Sequence, residues 1–174
     1  VTLQGGVTTV QSVGSRSEGT LRDAIEHGLL PGPRILTSLG SIGGRDATPA
    51  ELRARVAHFA ERGADLIKVF ASASIRVGGT PTLSQEQLDA ICGEATARGL
   101  RTIVHGHGPV SAQRTARAGC TAVEHGALLD RETLELLAEH GVYYDPNIDL
   151  IFRNYFENED RYLGIGSYTE EGFE

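Results

Sequence analysis

Two imidazoles stand two positions apart in RTIVHGHG (residues 101–108), and a third closes the neighbouring apolar run TAVEHG (residues 121–126). A glycine follows each histidine. Neutral imidazole nitrogens are good ligands for zinc and similar divalent ions. Each histidine alone also reads as a hydrogen-bonded structural residue. The shared position at the ends of consecutive apolar runs favours His105 and His125 as ligands, while His107 stays open between the two readings. Lys68 lies in ADLIKVFAS (residues 64–72), flanked by Leu66, Ile67, Val69 and Phe70. Desolvation disfavours an ammonium, so a lysine in such a run tends toward a nucleophilic amine. That amine could form a Schiff base with a carbonyl, or add to carbon dioxide to give a carbamate that bridges two metal ions. It could also snorkel to a rim. The nearby histidines favour the carbamate.

These side chains meet only if the elements that carry them end at one place. Five amphipathic stretches stop at a glycine, Gly28, Gly63, Gly99, Gly119 and Gly141, and an apolar or β-branched run follows each within a few residues. Helices commonly stop on a left-handed residue, so these glycines read as helix C-termini, with Gly6 before VTTVQSV as a sixth. Helix starts are also legible. Thr48-Pro49-Ala50-Glu51 has the form of an N-cap, a first-turn proline and an acidic third residue, and Ser84 with Gln87 forms a capping box. In the helix from about 49 to 62, Leu52, Val56, Phe59 and Ala60 make one buried stripe. The intervening runs have the Val, Ile and Thr content of strands buried on both faces.

About six alternations of strand and helix predict an α/β fold with parallel strands, either a (β/α) barrel or an open doubly wound sheet. The open nucleotide-binding sheet requires G-x-G-x-x-G after the first strand, and SVGSRSEG lacks that spacing. In a barrel, the strand carboxyl ends surround one mouth. Residues i and i+2 of a strand share a face, so His105 and His107 can both look toward that mouth.

The formal charge of −7 over 174 residues has the wrong sign for a protein that neutralises phosphates, which excludes nucleic acid as an expected partner. No apolar run approaches the ~18 residues of a membrane span, and no signal-peptide pattern opens the chain. A cytoplasmic protein is expected, with an N-terminal targeting segment left open. Cys92 and Cys120 show no disulfide or metal pattern and read as small buried hydrophobes. The chain has no methionine, and Val1 reads as a cut within something longer.

Taken in order, GVTTVQSVG, LRDAIEHGLLPGPRILTS, RGADLIKVFAS, GLRTIVHGHG and AGCTAVEHGALLD resemble the amidohydrolase superfamily, in its imidazolonepropionase-like and Xaa-Pro dipeptidase (prolidase) branch. The resemblance implies a metal-dependent (β/α)8 TIM barrel with a small β-sandwich made from both chain ends. On this reading residues 1–174 are a partial barrel holding roughly strands two to seven, and the first strand, eighth strand and sandwich are absent. The implied activity is hydrolysis of an amide or other C–N bond by hydroxide at one or two divalent metals, most expectedly zinc.

The same resemblance makes Lys68 the carboxylated, metal-bridging lysine, which requires carbon dioxide, and makes His105 and His125 metal ligands. An exchange of roles between His105 and His107 stays open. His107 falls to substrate binding, and Tyr144 and Asn147 lie nearest the mouth in a Tyr-, Phe- and Asn-rich segment after the seventh strand. That segment reads equally as a substrate-covering loop and helix or as a helix packed on the flank. The implied partner is a small amide or dipeptide-like substrate, and a homo-oligomeric full-length protein is compatible with the sequence. Some family features lack a counterpart. No His-x-His precedes GGVTTV, the eighth-strand aspartate should lie beyond Glu174, and Gln11-Ser12 stand where relatives often carry Arg-Asp. Asp145 and Asp149 follow the seventh strand and cannot take the aspartate's role by position. Two other readings remain: a Schiff-base aldolase built on Lys68, and a non-catalytic segment.

Overall fold

The computed structural model describes residues 2–149, 153–165 and 169–173. Strand and helix alternate as β1 (Thr9–Ser12), α1 (Glu18–Glu26), β2 (Arg34–Thr37), α2 (Pro49–Glu61), β3 (Leu66–Phe70), α3 (Gln85–Ala97), β4 (Arg101–Gly106), α4 (Pro109–Arg117), β5 (Ala122–His125), α5 (Arg131–Glu139) and β6 (Tyr143–Asp145). Three short helices follow: Asn154–Phe156, Glu159–Tyr162 and Glu170–Phe173. The expected loop and helix over the mouth fall partly on 150–152, 166–168 and 174, which lie outside the described residues.

Local chemistry accounts for the helix boundaries. The predicted N-cap at Thr48 and the predicted capping box at Ser84 both form, each as a full box: Thr48 Oγ1 accepts from the Glu51 amide at 3.3 Å, and Ser84 Oγ from the Gln87 amide at 3.2 Å, with Glu51 and Gln87 reaching back to the cap amides. The five predicted glycine stops all have φ between 66° and 80°, as expected one residue past a helix end. Asp130 caps α5 by accepting from the Thr133 amide at 2.8 Å.

All strand pairs are parallel. β1 pairs with β2, and β3 to β6 form a second run in sequence order. Ile42 bridges the two runs: its amide donates to the Lys68 carbonyl, and its carbonyl accepts from the Phe70 amide, both at 2.8 Å. Strand order therefore follows chain order without the reversal that defines a doubly wound sheet, and the open-sheet alternative is set aside. The sheet also curls. Arg101 at the start of β4 donates to Gln11 Oε1 on β1 at 2.9 Å, across the two intervening strands. Ser12 and Thr37 donate to the Glu18 carboxylate at 2.9 and 3.1 Å, which ties α1 to the ends of β1 and β2. Gln11 and Ser12 thus have structural partners of their own.

The principal core lies between the outer sheet face and the helices, where Ile67, Val69 and Val104 meet Leu52, Val56, Leu88 and Ile91. A smaller cluster joins Ala112, Ala116, Val123, Leu137 and Val142. Cys92 and Cys120 are buried in the principal core, as expected of small hydrophobes, but they are also bonded to each other, with Cα atoms 5.1 Å apart. The disulfide went unread because its partners are 28 residues apart without a recognisable spacing. Closing a loop of that length stabilises by about 3–4 kcal/mol on the chain-entropy model. We expect a reducing agent, or the paired Cys92→Ala and Cys120→Ala substitutions, to lower unfolding free energy by about that amount, measured by urea denaturation with and without reductant.

Candidate active site

Strand register decides which side chains share the concave face. Lys68 stands beside Ile103, Phe70 beside His105, His105 beside Glu124, and Glu124 beside Asp145. Alternation places Lys68, Phe70, His105, Glu124 and Asp145 on one face, opposite the helix-covered Ile67, Val69, Val104 and Val123. By the same count His125, paired with Gly106, belongs to the helix side. Its backbone departs from the strand, with φ 73°, and its ring centroid comes within 4.7 Å of His105 and 5.1 Å of His107. His105 and His107 are themselves 4.7 Å apart. Three imidazoles thus form a triangle, with His105 edge-on to the other two and those two inclined by 18°.

Burial sets the charge of this cluster. Lys68 is 5% exposed, and its Nζ lies 5.6 Å from the Phe70 ring centroid, which is in turn 5.0 Å from His105. Desolvation pulls the lysine below its ordinary pKa, with the Glu124 carboxylate opposing the shift. His105 is pushed down to about 4 by burial, then by His125 and Lys68, against a hydrogen bond to the Ala73 backbone. His107 is likewise pushed down to about 4 by burial and its two neighbours. His125 is lowered by burial, with Asn147, Glu124 and Asp145 opposing.

Hydrogen bonds hold the rings. The His107 amide donates to Ser72 Oγ at 3.0 Å, and Ser72 Oγ donates to the Ala73 carbonyl at 2.9 Å. The loop from β3 to α3 closes on His107 so tightly that a Cβ at Gly79 would lie 2.8 Å from the His107 Cβ. His125 Nδ1 is 2.5 Å from Asn147 Oδ1. The Tyr144 hydroxyl donates to the Gly126 carbonyl at 3.1 Å, with the His125 carbonyl at 3.4 Å. Gly126 has φ 52°, and a Cβ there would lie 2.5 Å from the Tyr144 ring. Only glycine admits this packing.

The structure brings together Lys68, His105, His107 and His125, and turns Tyr144 and Asn147 onto the His125 turn. Sequence reasoning gave no role to Glu124 or Ser72 and could not assign Asp145. Glu124 and Asp145 reach this face through the cross-strand register, which the sequence alone does not give. Ser72 left no signal either.

Several observations fit this set to a divalent cation. The imidazoles are held neutral, His125 has one nitrogen engaged and one left over, and His107 Nδ1 is buried without a hydrogen-bond partner among the described residues. His, Cys, Asp and Glu side chains do not suffice alone: among the described residues no three of them are arranged to hold an ion. No helix among the described residues is long and apolar enough to cross a membrane.

The amidohydrolase family model matches residues 2–159. A Xaa-Pro dipeptidase crystallised with methionine in its active site is 31% identical and superposes with a TM-score of 0.83 over 98% of this chain and 48% of that one. The ochratoxinase of Aspergillus niger is 34% identical over 98 residues, which are 54% of this chain and 20% of that protein. The crystal structure of the A. niger ochratoxinase shares the fold, with a TM-score of 0.82 at 23% identity over 92% of this chain and 46% of its own. The chain therefore spans less than half of the dipeptidase structure and a fifth of the curated ochratoxinase. The superfamily is generally metal-dependent. Parallel strands in chain order, a curled sheet with titratable groups at its carboxyl end, and a family match over most of the residues agree: the chain belongs to the amidohydrolase family.

Proposed function

We propose that the chain forms part of a metal-dependent hydrolase of amide or other C–N bonds, acting on small dipeptide-like or N-acyl substrates. The observation that carries this reading is the convergence of a buried, deprotonation-prone Lys68 with three neutral imidazoles at one end of a parallel curled sheet. Likeness to a Xaa-Pro dipeptidase and to ochratoxinase supports the substrate class. The six strands would be the second to seventh of an eight-stranded barrel, with the remaining strands and the β-sandwich supplied by residues outside this chain. The Schiff-base aldolase and the non-catalytic segment gain no support from these relatives.

Lys68, His105 and His125 would hold the ion, zinc being the best match to imidazole donors. A divalent ion there would make hydroxide available at neutral pH and polarise the scissile carbonyl. Lys68 prepares its own donor group: the neutral Nζ forms an N–C bond to carbon dioxide, and the displaced proton leaves to solvent. The product is a carbamate, an oxygen donor on a buried arm. Glu124 opposes that preparation electrostatically by favouring the ammonium, so burial must outweigh it. His107, held against the Ser72 loop with its Nδ1 buried, would meet substrate only through the rest of its ring. Tyr144 can present its half-exposed ring to the substrate while its hydroxyl holds the His125 turn. Asn147 binds substrate less directly than the sequence suggests, since its amide oxygen is taken by His125. A cytoplasmic setting sits against the Cys92–Cys120 bond, because such bonds persist mainly in oxidising compartments.

Lys68→Met tests the reading in the longest form of the protein that can be prepared. Elemental analysis should find divalent metal in the wild type, and the variant should lose at least about 100-fold in metal affinity, by analogy with ligand-support losses. Hydrolysis of X-Pro and N-acyl amino acid substrates should fall with it. Borohydride in the presence of a carbonyl substrate should leave Lys68 unmodified, and a trapped adduct would replace the hydrolase with the aldolase.

A pH dependence follows for the metal-free protein. His105 and His107 accept protons only near pH 4 when folded, against about 6.5 unfolded. The unfolded chain therefore binds more protons between those values. Stability from this source is intact above pH ~6.5 and declines as pH falls toward 4. Urea midpoints across that window should drop, and His107→Gln should flatten the slope.

A further inference from the structure

Asn147 could offer His125 either its oxygen or its amide nitrogen, and that choice decides which imidazole nitrogen keeps a lone pair. The neighbouring carboxylate makes the choice. Asp145 Oδ1 can only accept, and Asn147 Nδ2 lies 3.2 Å from it, so the amide nitrogen faces Asp145 and Oδ1 faces His125. An amide oxygen also only accepts. His125 Nδ1, 2.5 Å away, must therefore carry the proton, and Nε2 must carry the lone pair. The backbone is bent to bring the partners together: His125 has φ 73° and Asn147 φ 49°. Non-glycine residues keep such conformations mainly where their surroundings favour them.

We propose that Asp145 and Asn147 are positioning residues that lock His125 as its Nδ1–H tautomer and hand the Nε2 lone pair to a divalent cation. Asp145 acts at one remove, by orienting the amide. Only the cation rests on the function proposed above; the tautomer follows from the hydrogen bonds alone. A fixed second nitrogen is the device by which imidazole ligands are oriented and made more basic.

Two-bond 1H–15N spectra of the histidine rings in the metal-free chain read the tautomer directly, with the His125 signals assigned by their loss in His125→Gln. The wild type should show His125 as Nδ1–H alone. Asn147→Leu should admit the Nε2–H form, and Asp145→Asn, which leaves Asn147 in place but frees its amide to rotate, should admit it in part. The double variant Asp145→Asn with Asn147→Asp should restore Nδ1–H, because the new carboxylate accepts from His125 and the new amide donates to that carboxylate. Collapse of the His105 and His107 signals would mark a misfolded Asn147→Leu chain, and Asp145→Asn and the double variant would then decide. Zinc affinity, by competition with a chromophoric chelator, should fall about 10–100-fold in Asn147→Leu and recover in the double variant. A wild-type His125 protonated at Nε2, or single variants that keep Nδ1–H, would overturn the proposal. Wild-type zinc binding that Asn147→Leu leaves unchanged would overturn it too. A wild type that binds no zinc would instead sink the functional reading, while the ring spectra still judged the tautomer.

Discussion

Desolvation at the carboxyl end of the sheet is the constraint on which the site depends. Lys68 and three imidazoles share a space too dry to carry their charges, so each is biased toward its neutral, lone-pair-bearing form. The dryness has a structural source. Ile67 and Val69 anchor β3 in the helix-facing core, which forces Lys68 between them to face inward. The Ser72 loop and the Gly79 turn then close over His107. A lysine one position earlier or later would lie in the core, where no partner is in place for it.

The fold was largely legible because its signals are local. Glycine stops, capping boxes at Thr48 and Ser84, and short β-branched runs each follow from a few neighbouring residues, and all of these signals agree with one architecture. Strand order was not local. It took Ile42, an isolated bridge between two runs, and the long-range Arg101–Gln11 contact to show a curled sheet in chain order. The Cys92–Cys120 bond escaped for a similar reason: nothing in the spacing announces that α3 and the turn before β5 touch.

The site was legible in membership but not in construction. Alternation finds Lys68 and His105, but Glu124 joins them through a cross-strand register that the sequence does not give. Alternation puts His125 on the wrong face, because a strand rule does not foresee a left-handed residue at the strand's last position. The residues that enforce that turn, Tyr144, Gly126 and Asn147, come from a later strand, its following loop and a glycine whose necessity appears only when the packing is seen. Asn147 was read as a substrate contact from its place near the mouth. In the structure its amide oxygen faces His125 and its nitrogen faces Asp145.

The Arg101–Gln11 hydrogen bond makes the two ends of the sheet unlike. It lies at the first residue of β4, four positions before His105, or roughly 13 Å along an extended strand. At that depth the exposed Arg101 and Gln11 side chains fasten β4 to β1, whereas the imidazole end is lined by loops. The curl of the sheet is therefore tied at the end away from the histidines, and the imidazole end is left to its own loop contacts.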